Sequence, residues 1–299
     1  MKKKILLLGL GICLLFAACS GKKTAEKGNQ PDTEQEEKKE DTSEKTERKD
    51  SDSKEEKENS SAGAEEPGKE LSQPPEVTFT DYSQDITDEG SGAILLSVME
   101  NSPVVSIPEN EAAAEKINMA FEQKHTETQK YIEEDTELAR SAYQDLSDEE
   151  KESWTGYGYG SVYKMMYAST RILSIEAESY QWQGTPHPNT WTFSYCFDAT
   201  TGKLLSLADI FTDKAKAGEI VEKHILKTIT EDPYKEYLME DYESYVSDIL
   251  TEDVFYLNEK GLVVICNPYL VTAYAGGKIE IEVPYQELEE VMNELYVLK

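Results

Sequence analysis

The sequence of 299 residues lacks the short motifs of the common enzyme classes. It has no Gly-x-Ser-x-Gly elbow, no His-Glu-x-x-His zinc motif, no phosphate-binding loop and no cysteine pairs at zinc-finger spacing. Two of the three histidines, His125 and His224, lie on predicted helix faces, where packing is the favoured role. Asp198 and Asp209 could form the carboxylate pair of a glycosidase, but capping of a turn and of a short helix explains them better. We therefore expect no enzyme activity, no cofactor and no metal ion.

Basic residues are also scarce. From residue 77 onward the chain has 16 Lys and Arg against 42 Asp and Glu, a net charge of −26. Such a surface excludes nucleic acid and disfavours teichoic acids and anionic lipids as direct ligands, because these bind cationic surfaces. It would attract a cationic protein and raise its association rate. The alternative is that the charge only keeps an exposed protein soluble.

Cysteine is rare as well, and only two of the four residues fall within the predicted fold. Cys196 and Cys266 each lie in a predicted buried strand. Because an exported protein can form disulfides, a bond between the two and a pair of buried thiols are both open alternatives.

The first 19 residues have the pattern of an export signal. Three lysines at residues 2–4 precede an apolar run, residues 5–16, that is too short for a good membrane span. The run ends in Leu-Phe-Ala-Ala-Cys, which resembles the lipobox of bacterial lipoproteins. We expect cleavage before Cys19 and attachment of lipid to it, which would anchor the protein on the outer, extracytoplasmic face of the cell membrane. An ordinary cleaved signal is the alternative.

Residues 20–76 contain no aromatic side chain. They carry 11 Lys and Arg against 18 Asp and Glu, a net charge of −7, among many Ser, Thr, Gln, Pro and Gly residues. Such a segment cannot bury enough apolar surface to offset its chain entropy, so we predict a disordered linker. A flexible coil of this length spans about 40 Å. We interpret it as a spacer without a partner of its own.

Residues 77–299 alternate between strand and helix patterns, which is typical of an α+β domain. We expect an antiparallel sheet with helices mainly on one face, in two intimately packed subdomains, residues 77–185 and 186–299. Residues 173–211 organise the fold as a strand, a Gly/Pro turn, a strand, a second turn and a short helix. The alternation of apolar and polar residues at 173–178 predicts that only one face of the first strand is buried.

Several further elements follow from periodicity. A helix is predicted from about Asn110, with Ile117, Phe121 and Ile132 on its inward stripe. Residues 252–257 and 262–266 are predicted to form a hairpin, and residues 279–283 a strand with one buried face. Residues 285–296 are predicted to close the chain as an amphipathic helix.

Aromatic residues in predicted loops are the candidate binding residues. Trp154, Tyr157 and Tyr159 lie in a Gly-spaced stretch that we interpret as a loop, and Tyr269 and Tyr274 lie in a second loop. Exposed aromatic rings stack on sugars or anchor protein interfaces, although a partly buried lining is the alternative for each ring. One further candidate, His187, lies in the Gly/Pro turn, where it could brace the turn or contact a ligand.

Three stretches together resemble the extracytoplasmic region of the RsiV-like proteins. They are residues 102–121 with a Lys-Ile-Asn signature, residues 173–211 with His187, Asp198 and Gly202, and residues 257–288 with Asn-Pro-Tyr and Val-Pro-Tyr. In that family the region occurs in a membrane-spanning anti-sigma factor that binds lysozyme, beside polysaccharide deacetylase domains, and in lipoproteins. The lipobox stands here in place of a cytoplasmic domain, so we expect no sigma factor partner.

The resemblance and the charge together predict a lipid-anchored binding module at the cell surface. Its expected ligand is lysozyme or a similar cationic protein. The alternative is a module that binds peptidoglycan or another wall glycan, or an accessory envelope protein without catalytic activity. Protein binding should weaken with salt, whereas glycan binding should depend on the aromatic rings.

Overall fold

A six-stranded β-sheet is the largest element of the computed structural model, which describes residues 68–298. Its strands lie in chain order: β1 (Glu76–Thr87), β2 (Ile94–Ser106), β3 (Tyr157–Ala168), β4 (Ile172–Trp182), β5 (Asn189–Asp198) and β6 (Lys203–Leu204). Neighbouring strands are antiparallel except β2 and β3, which run parallel. A parallel pair needs a long crossover connection, and a helix supplies most of it.

That helix, α1 (Glu111–Asp145), covers one face of the sheet. It begins where the sequence predicts, because the Asn110 side chain accepts a hydrogen bond from the Ala113 amide and caps the first turn. The predicted stripe is confirmed, since Ile117, Phe121 and Ile132 are all buried. The ring of Phe121 meets three aromatic rings of the sheet edge-on, at centroid distances of 5.5–5.6 Å. A single-turn helix, α2 (Asp148–Lys151), follows, with a capping box between Ser147 and Glu150.

A second, three-stranded antiparallel sheet follows in the chain. It consists of β7 (Phe255–Leu257), β8 (Gly261–Cys266) and β9 (Ile279–Pro284), and its helices are α3 (Leu207–Ile210), α4 (Lys214–Ile229) and α5 (Tyr285–Leu288). The predicted hairpin and the half-buried strand β9 are confirmed. The α+β class is therefore confirmed, with one part of the molecule around each sheet. The predicted division at residues 185 and 186 falls in the turn between β4 and β5.

The prediction that β4 is exposed on one face is wrong for its first half. Ser174 and Glu176 are buried because the second sheet lies against this face. The Ser174 hydroxyl donates a hydrogen bond of 2.7 Å to the carbonyl of Leu257, and the Glu176 carboxylate pairs with the ammonium group of Lys278 at 2.7 Å. Polar side chains can thus lie on a buried face when a partner meets each of them.

The predicted closing helix over residues 285–296 is also wrong, because the helix ends at Leu288. The chain then turns to pair with the segment before α4. The Thr212 amide donates to the carbonyl of Val291, and the Asn293 amide donates to the carbonyl of Ile210, each at 2.8 Å. These tertiary hydrogen bonds replace the helical ones that the apolar periodicity predicted.

Residues 68–76, the last of the predicted linker, lie against the fold. Leu71 is buried, and its amide donates a hydrogen bond of 3.1 Å to the carbonyl of Thr170. The Arg171 guanidinium donates to the carbonyl of Gly68 at 3.3 Å. The ordered domain therefore includes Gly68. The predicted signal, the lipidation of Cys19 and most of the predicted linker lie outside the described residues.

Cys196 and Cys266 are free thiols, both buried, so the disulfide alternative is not realised. Burial raises the pKa of Cys196 to about 11 and that of Cys266 to about 12. Both thiols therefore stay protonated and unreactive at neutral pH. Within the described part of the chain, no helix has the length and apolar character needed to cross a membrane.

Candidate functional site

The structure separates the six predicted site residues into two groups. His187, Tyr269 and Tyr274 come together, and we call them the aromatic cluster. The other group, Trp154 with its neighbours, packs beside α1. The aromatic cluster therefore combines a residue of the β4–β5 turn with two residues of the connection between β8 and β9.

Ring stacking and two hydrogen bonds define the aromatic cluster. The rings of His187 and Tyr274 are stacked, with centroids 3.9 Å apart and an angle of 11° between their planes. The Tyr269 ring lies 5.9 Å from Tyr274 and 6.3 Å from His187. The Nδ1 atom of His187 lies 3.1 Å from the carbonyl of Pro188, which can only accept, so Nδ1 carries the proton. In the neutral ring, Nε2 can then accept from the Tyr269 hydroxyl, which lies 3.2 Å away.

The backbone of Tyr269 is in the left-handed region, with a φ of 68°. A non-glycine residue adopts this conformation only when its surroundings impose it, at a cost of about 1–2 kcal/mol. The Tyr269 amide donates to the carbonyl of Thr272 at 2.9 Å, which closes a tight turn. The result is a ring that remains 44% exposed although hydrogen bonds and stacking hold it in place.

An asparagine fixes this loop to the large sheet. Asn267 is completely buried, and its side-chain oxygen accepts from the amide of Thr192 at 2.7 Å. Its side-chain nitrogen donates to the carbonyl of the same residue at 2.9 Å. The Asn267 side chain thus makes the two hydrogen bonds to Thr192 that a neighbouring strand would otherwise make. The Tyr269 turn begins two residues after Asn267.

An acidic segment borders the same loop. Residues 231–253 contain nine Asp and Glu, four Tyr and a single Lys. The amide of Ala273 donates to the carbonyl of Tyr237 at 2.8 Å, and the amide of Met239 donates to the carbonyl of Val271 at 2.9 Å. Tyr237 and Tyr245 in this segment are 37% and 46% exposed. This segment is not among the candidates predicted from the sequence, although its density of acidic residues is a signal for it.

The prediction that Trp154, Tyr157 and Tyr159 form an outward-facing loop is wrong for Tyr157 and Tyr159, whereas Trp154 lies in the loop before β3. Tyr157 and Tyr159 lie in β3 on the face that α1 covers, and Tyr159 is buried. The Trp154 ring lies between those of Tyr143 and Tyr157, at centroid distances of 5.6 and 5.4 Å, and its Nε1 donates to the carbonyl of Ile94. The glycines that suggested a loop are the alternate residues of a strand.

Two carboxyl groups are buried between α1 and the sheet. Asp135 accepts hydrogen bonds from the side chains of Gln181 and Gln183, yet burial still raises its pKa. Burial likewise raises the pKa of Glu100, and Nδ1 of His125 lies 3.9 Å from its carboxylate. The Oε2 atom of Glu100 has no hydrogen-bond partner among the described residues. In the same residues, no group of His, Cys, Asp and Glu side chains is arranged to hold a metal ion.

The raised pKa of Glu100 makes the free energy of unfolding depend on pH. The charged form of Glu100 is penalised at neutral pH, and the penalty disappears as the pH falls through the raised pKa. Glu100→Gln is therefore expected to raise the free energy of unfolding by about 1 kcal/mol at neutral pH, with the gain shrinking toward about pH 4. Urea denaturation of both proteins at several pH values between neutral pH and about pH 4 measures this gain. The control is Glu133→Gln on the exposed face of α1. An equal gain in both variants that does not change with pH would contradict the conclusion that burial penalises the charged form of Glu100.

The aromatic cluster and Gly68, the first described residue, lie at opposite ends of the large sheet. Gly68 lies against Thr200, beside the β5–β6 turn, whereas His187 lies at the other end of β5. The length of β4, 11 residues, places about 33 Å between these ends.

Two family models match different parts of the chain. Residues 94–190 match the family described as "Deacetylase PdaC", and residues 208–286 match "Protein of unknown function (DUF3298)". The chain carries a PdaC-like segment followed by a DUF3298-like segment. This pair is consistent with the resemblance drawn from the three sequence stretches, in which the likeness to RsiV stays a prediction. No curated protein matches the chain.

Two solved structures are similar to the chain at low identity. A member of the DUF3298 family from Bacteroides fragilis NCTC 9343 is 18% identical, with 77% of this chain and 96% of that chain covered and a TM-score of 0.49. A DUF3298 family protein from Pseudomonas aeruginosa PAO1 is 14% identical, with 76% and 96% covered and a TM-score of 0.49. Neither likeness carries a functional argument.

Proposed function

We propose that the protein is a non-catalytic binding module of the bacterial envelope that captures a cationic protein such as a lysozyme. The observation that carries the proposal is the aromatic cluster. Its rings come from two separate loops, are held by stacking and hydrogen bonds, and leave Tyr269 exposed beside the acidic segment. Rigid exposed aromatic residues are the common anchors of protein interfaces.

Charge and aromatic rings have different roles in this proposal. The net charge of −26 from residue 77 onward attracts a cationic partner at long range and raises the association rate. Lasting affinity needs desolvated contacts, which the Tyr269 ring and the neighbouring Tyr237 ring offer. A Lys or Arg side chain can lie over such a ring and be attracted by its negative face, while the carboxylates of residues 231–253 pair with further cations.

The position of the aromatic cluster suits a tethered receptor. Since Gly68 lies at the opposite end of the large sheet, a membrane anchor before Gly68 would hold the domain by the end that is distant from the aromatic cluster. This part of the proposal rests on the predicted lipid at Cys19 and on the predicted linker. It favours a partner that arrives from outside the cell.

The proposed role is binding without chemistry, although one matching family model carries the name of a deacetylase. The histidines of the fold are already engaged in contacts with their neighbours. His187 is stacked on Tyr274, His224 pairs with Glu287 at 3.0 Å, and His125 lies beside Glu100. These arrangements resemble structural contacts rather than an acid or base aimed at an open cleft.

Truncating the exposed ring is the direct test of the proposed function. Tyr269→Ala is expected to weaken binding of a cationic lysozyme by about 30-fold, because a central aromatic anchor contributes about 2 kcal/mol or more. Calorimetry of the purified protein at low ionic strength measures the affinity. The matched control is Tyr131→Ala on α1, whose ring is 42% exposed and should not matter.

Salt separates specific capture from general attraction. Raising the ionic strength should reduce the affinity of the parent protein, because exposed charges are screened. Binding that is insensitive to Tyr269→Ala and disappears in moderate salt would reduce the proposal to nonspecific charge attraction. Absence of binding to a lysozyme at low ionic strength would reject it.

The proposed anchor has its own test. Cys19→Ser should move the protein from the membrane fraction to the soluble fraction, because stable anchoring needs the attached acyl chains. Cys13→Ser, within the predicted signal, is the matched control and should leave the distribution unchanged. A Cys19→Ser protein that remains on the membrane after a carbonate wash would contradict the lipoprotein interpretation.

A further inference from the structure

The large sheet has an uncovered area on the face opposite α1. We call this area the open face; it consists of Met99 on β2, Gly158, Gly160 and Val162 on β3, and Tyr180 and Trp182 on β4. Three of its side chains, those of Met99, Val162 and Tyr180, are 64%, 45% and 39% exposed. The second sheet covers the same face only further along β4, at Ser174 and Glu176.

Two glycines shape the open face. A Cβ atom at Gly158 would lie 3.2 Å from Cε1 of Tyr180, and one at Gly160 would lie 3.7 Å from its Cβ. The Tyr180 ring therefore lies against the backbone of β3 instead of standing upright on the sheet. Its outer side faces solvent, with Trp182 beside it on the same strand. The glycines thus allow a flat aromatic platform.

Acidic side chains surround this platform. Asp85 is on the same face, where it accepts a hydrogen bond of 2.7 Å from Ser97, and Asp81 precedes it by four residues on β1. Glu178 lies next to Tyr180 on the same face of β4 and is exposed. Lys164 is the one cation that β1–β4 contribute to this face among the described residues. A bound molecule would therefore meet aromatic surface and net negative charge together.

We infer that the open face binds a polysaccharide that carries free amino groups, such as a glucosamine polymer. Sugar rings present flat C–H surfaces that suit an exposed aromatic face, and protonated amines are attracted both by the ring and by the carboxylates around it. This ligand differs in chemistry from the cationic protein of the proposed function, and the open face shares no residue with the aromatic cluster.

A cationic peptide fits the open face less well. The backbone groups of β2, β3 and β4 are already paired with strands on both sides, so a peptide cannot add as a further strand. An extended peptide that lies on a sheet face would also need pockets for its side chains. A saccharide needs neither, because its own rings make the contact.

The test compares three soluble probes against the purified protein. These are a glucosamine hexamer, an N-acetylglucosamine hexamer and hexa-lysine, measured by calorimetry at about pH 6 and low ionic strength. The glucosamine hexamer is expected to bind at least about tenfold more tightly than either of the other two. Tyr180→Ala should weaken this binding by at least about tenfold, and Glu178→Gln by about threefold.

Matched variants and a second readout make the outcome decisive. Tyr131→Ala and Glu133→Gln, on α1, should leave hexamer binding unchanged. Equal binding of the acetylated and free hexamers, or full binding by Tyr180→Ala, would overturn the inference. Equally tight hexa-lysine binding that is lost in Tyr180→Ala would also overturn it, in favour of a peptide. Lysozyme capture should be unaffected by Tyr180→Ala and weakened by about 30-fold in Tyr269→Ala, so the two proposals can fail separately.

Discussion

Gly202→Ala is expected to lower the free energy of unfolding by at least about 3 kcal/mol. The residue has a φ of 73°, and a Cβ atom there would lie 2.5 Å from the carbonyl oxygen and 2.9 Å from the Cα of Ala113. Both atoms belong to the backbone of the first turn of α1, so no side chain can rotate away. The helix or the β5–β6 turn would have to move.

The chain contains a closely matched control for this experiment. Gly184 has a φ of 75°, and nothing lies within 4 Å of the position of its Cβ. Gly184→Ala therefore isolates the cost of the left-handed backbone, about 1 kcal/mol. Urea denaturation of both variants measures the difference. Equal losses would mean that the start of α1 can shift freely, which would contradict its close packing on the turn.

Asn267→Ala is the second substitution with a large expected effect. It leaves the amide and the carbonyl of Thr192 buried without partners, and each unsatisfied group costs about 1–3 kcal/mol. We expect a loss of about 3 kcal/mol in the free energy of unfolding. Because the Tyr269 turn begins beside this residue, lysozyme capture should be lost as well, even at temperatures where the protein stays folded.

Two further variants sharpen the interpretation. Asn118 makes the same pair of hydrogen bonds to Val105, at 2.8 and 2.9 Å, but is only half-buried, so water can replace it. Asn118→Ala should therefore cost about 1 kcal/mol and leave capture intact. Asn267→Asp keeps the acceptor but turns an oxygen toward the Thr192 carbonyl, so it should destabilise almost as much as alanine. A neutral Asn267→Asp would show that the donated hydrogen bond does not matter.

The parts of the fold that the sequence predicts are those in which periodicity decides the structure. The stripe of α1 and the alternation in β9 each report a single buried face, and both are confirmed. Periodicity predicts the wrong structure where an element distant in the sequence supplies hydrogen-bond or ion-pair partners. The second sheet buries Ser174 and Glu176, and residues 210–212 divert the chain after Leu288.

The site could be predicted only in part. The grouping of Tyr269 and Tyr274 in one loop is visible in the sequence, whereas their contact with His187 depends on how two distant loops meet. The glycines between Trp154 and Ser161 favour a loop when only the sequence is considered. In β3 they occupy one face of a strand, where they make room for Tyr180.

Signature residues of the sequence resemblance have mainly structural roles. Asn118, of the Lys-Ile-Asn signature, holds the end of β2, and Asn267, of the Asn-Pro-Tyr feature, holds β5. Asp198 accepts from the amide of Thr200 in the turn where Gly202 meets α1. A resemblance carried by such residues identifies a fold more securely than a ligand, because backbone hydrogen bonding constrains them.

The placement of the aromatic cluster and of Gly68 at opposite ends of the sheet has a mechanical consequence. A force applied to a captured ligand and resisted by the tether would run along the strands. It would pass from Asn267 to Thr192 of β5, across the β4–β5 ladder, to the hydrogen bonds that hold Gly68 and Leu71. Ladder hydrogen bonds lie across that direction, so the load is shared by many bonds that must break together. The domain is built to transmit tension as a stiff link and not to unzip strand by strand.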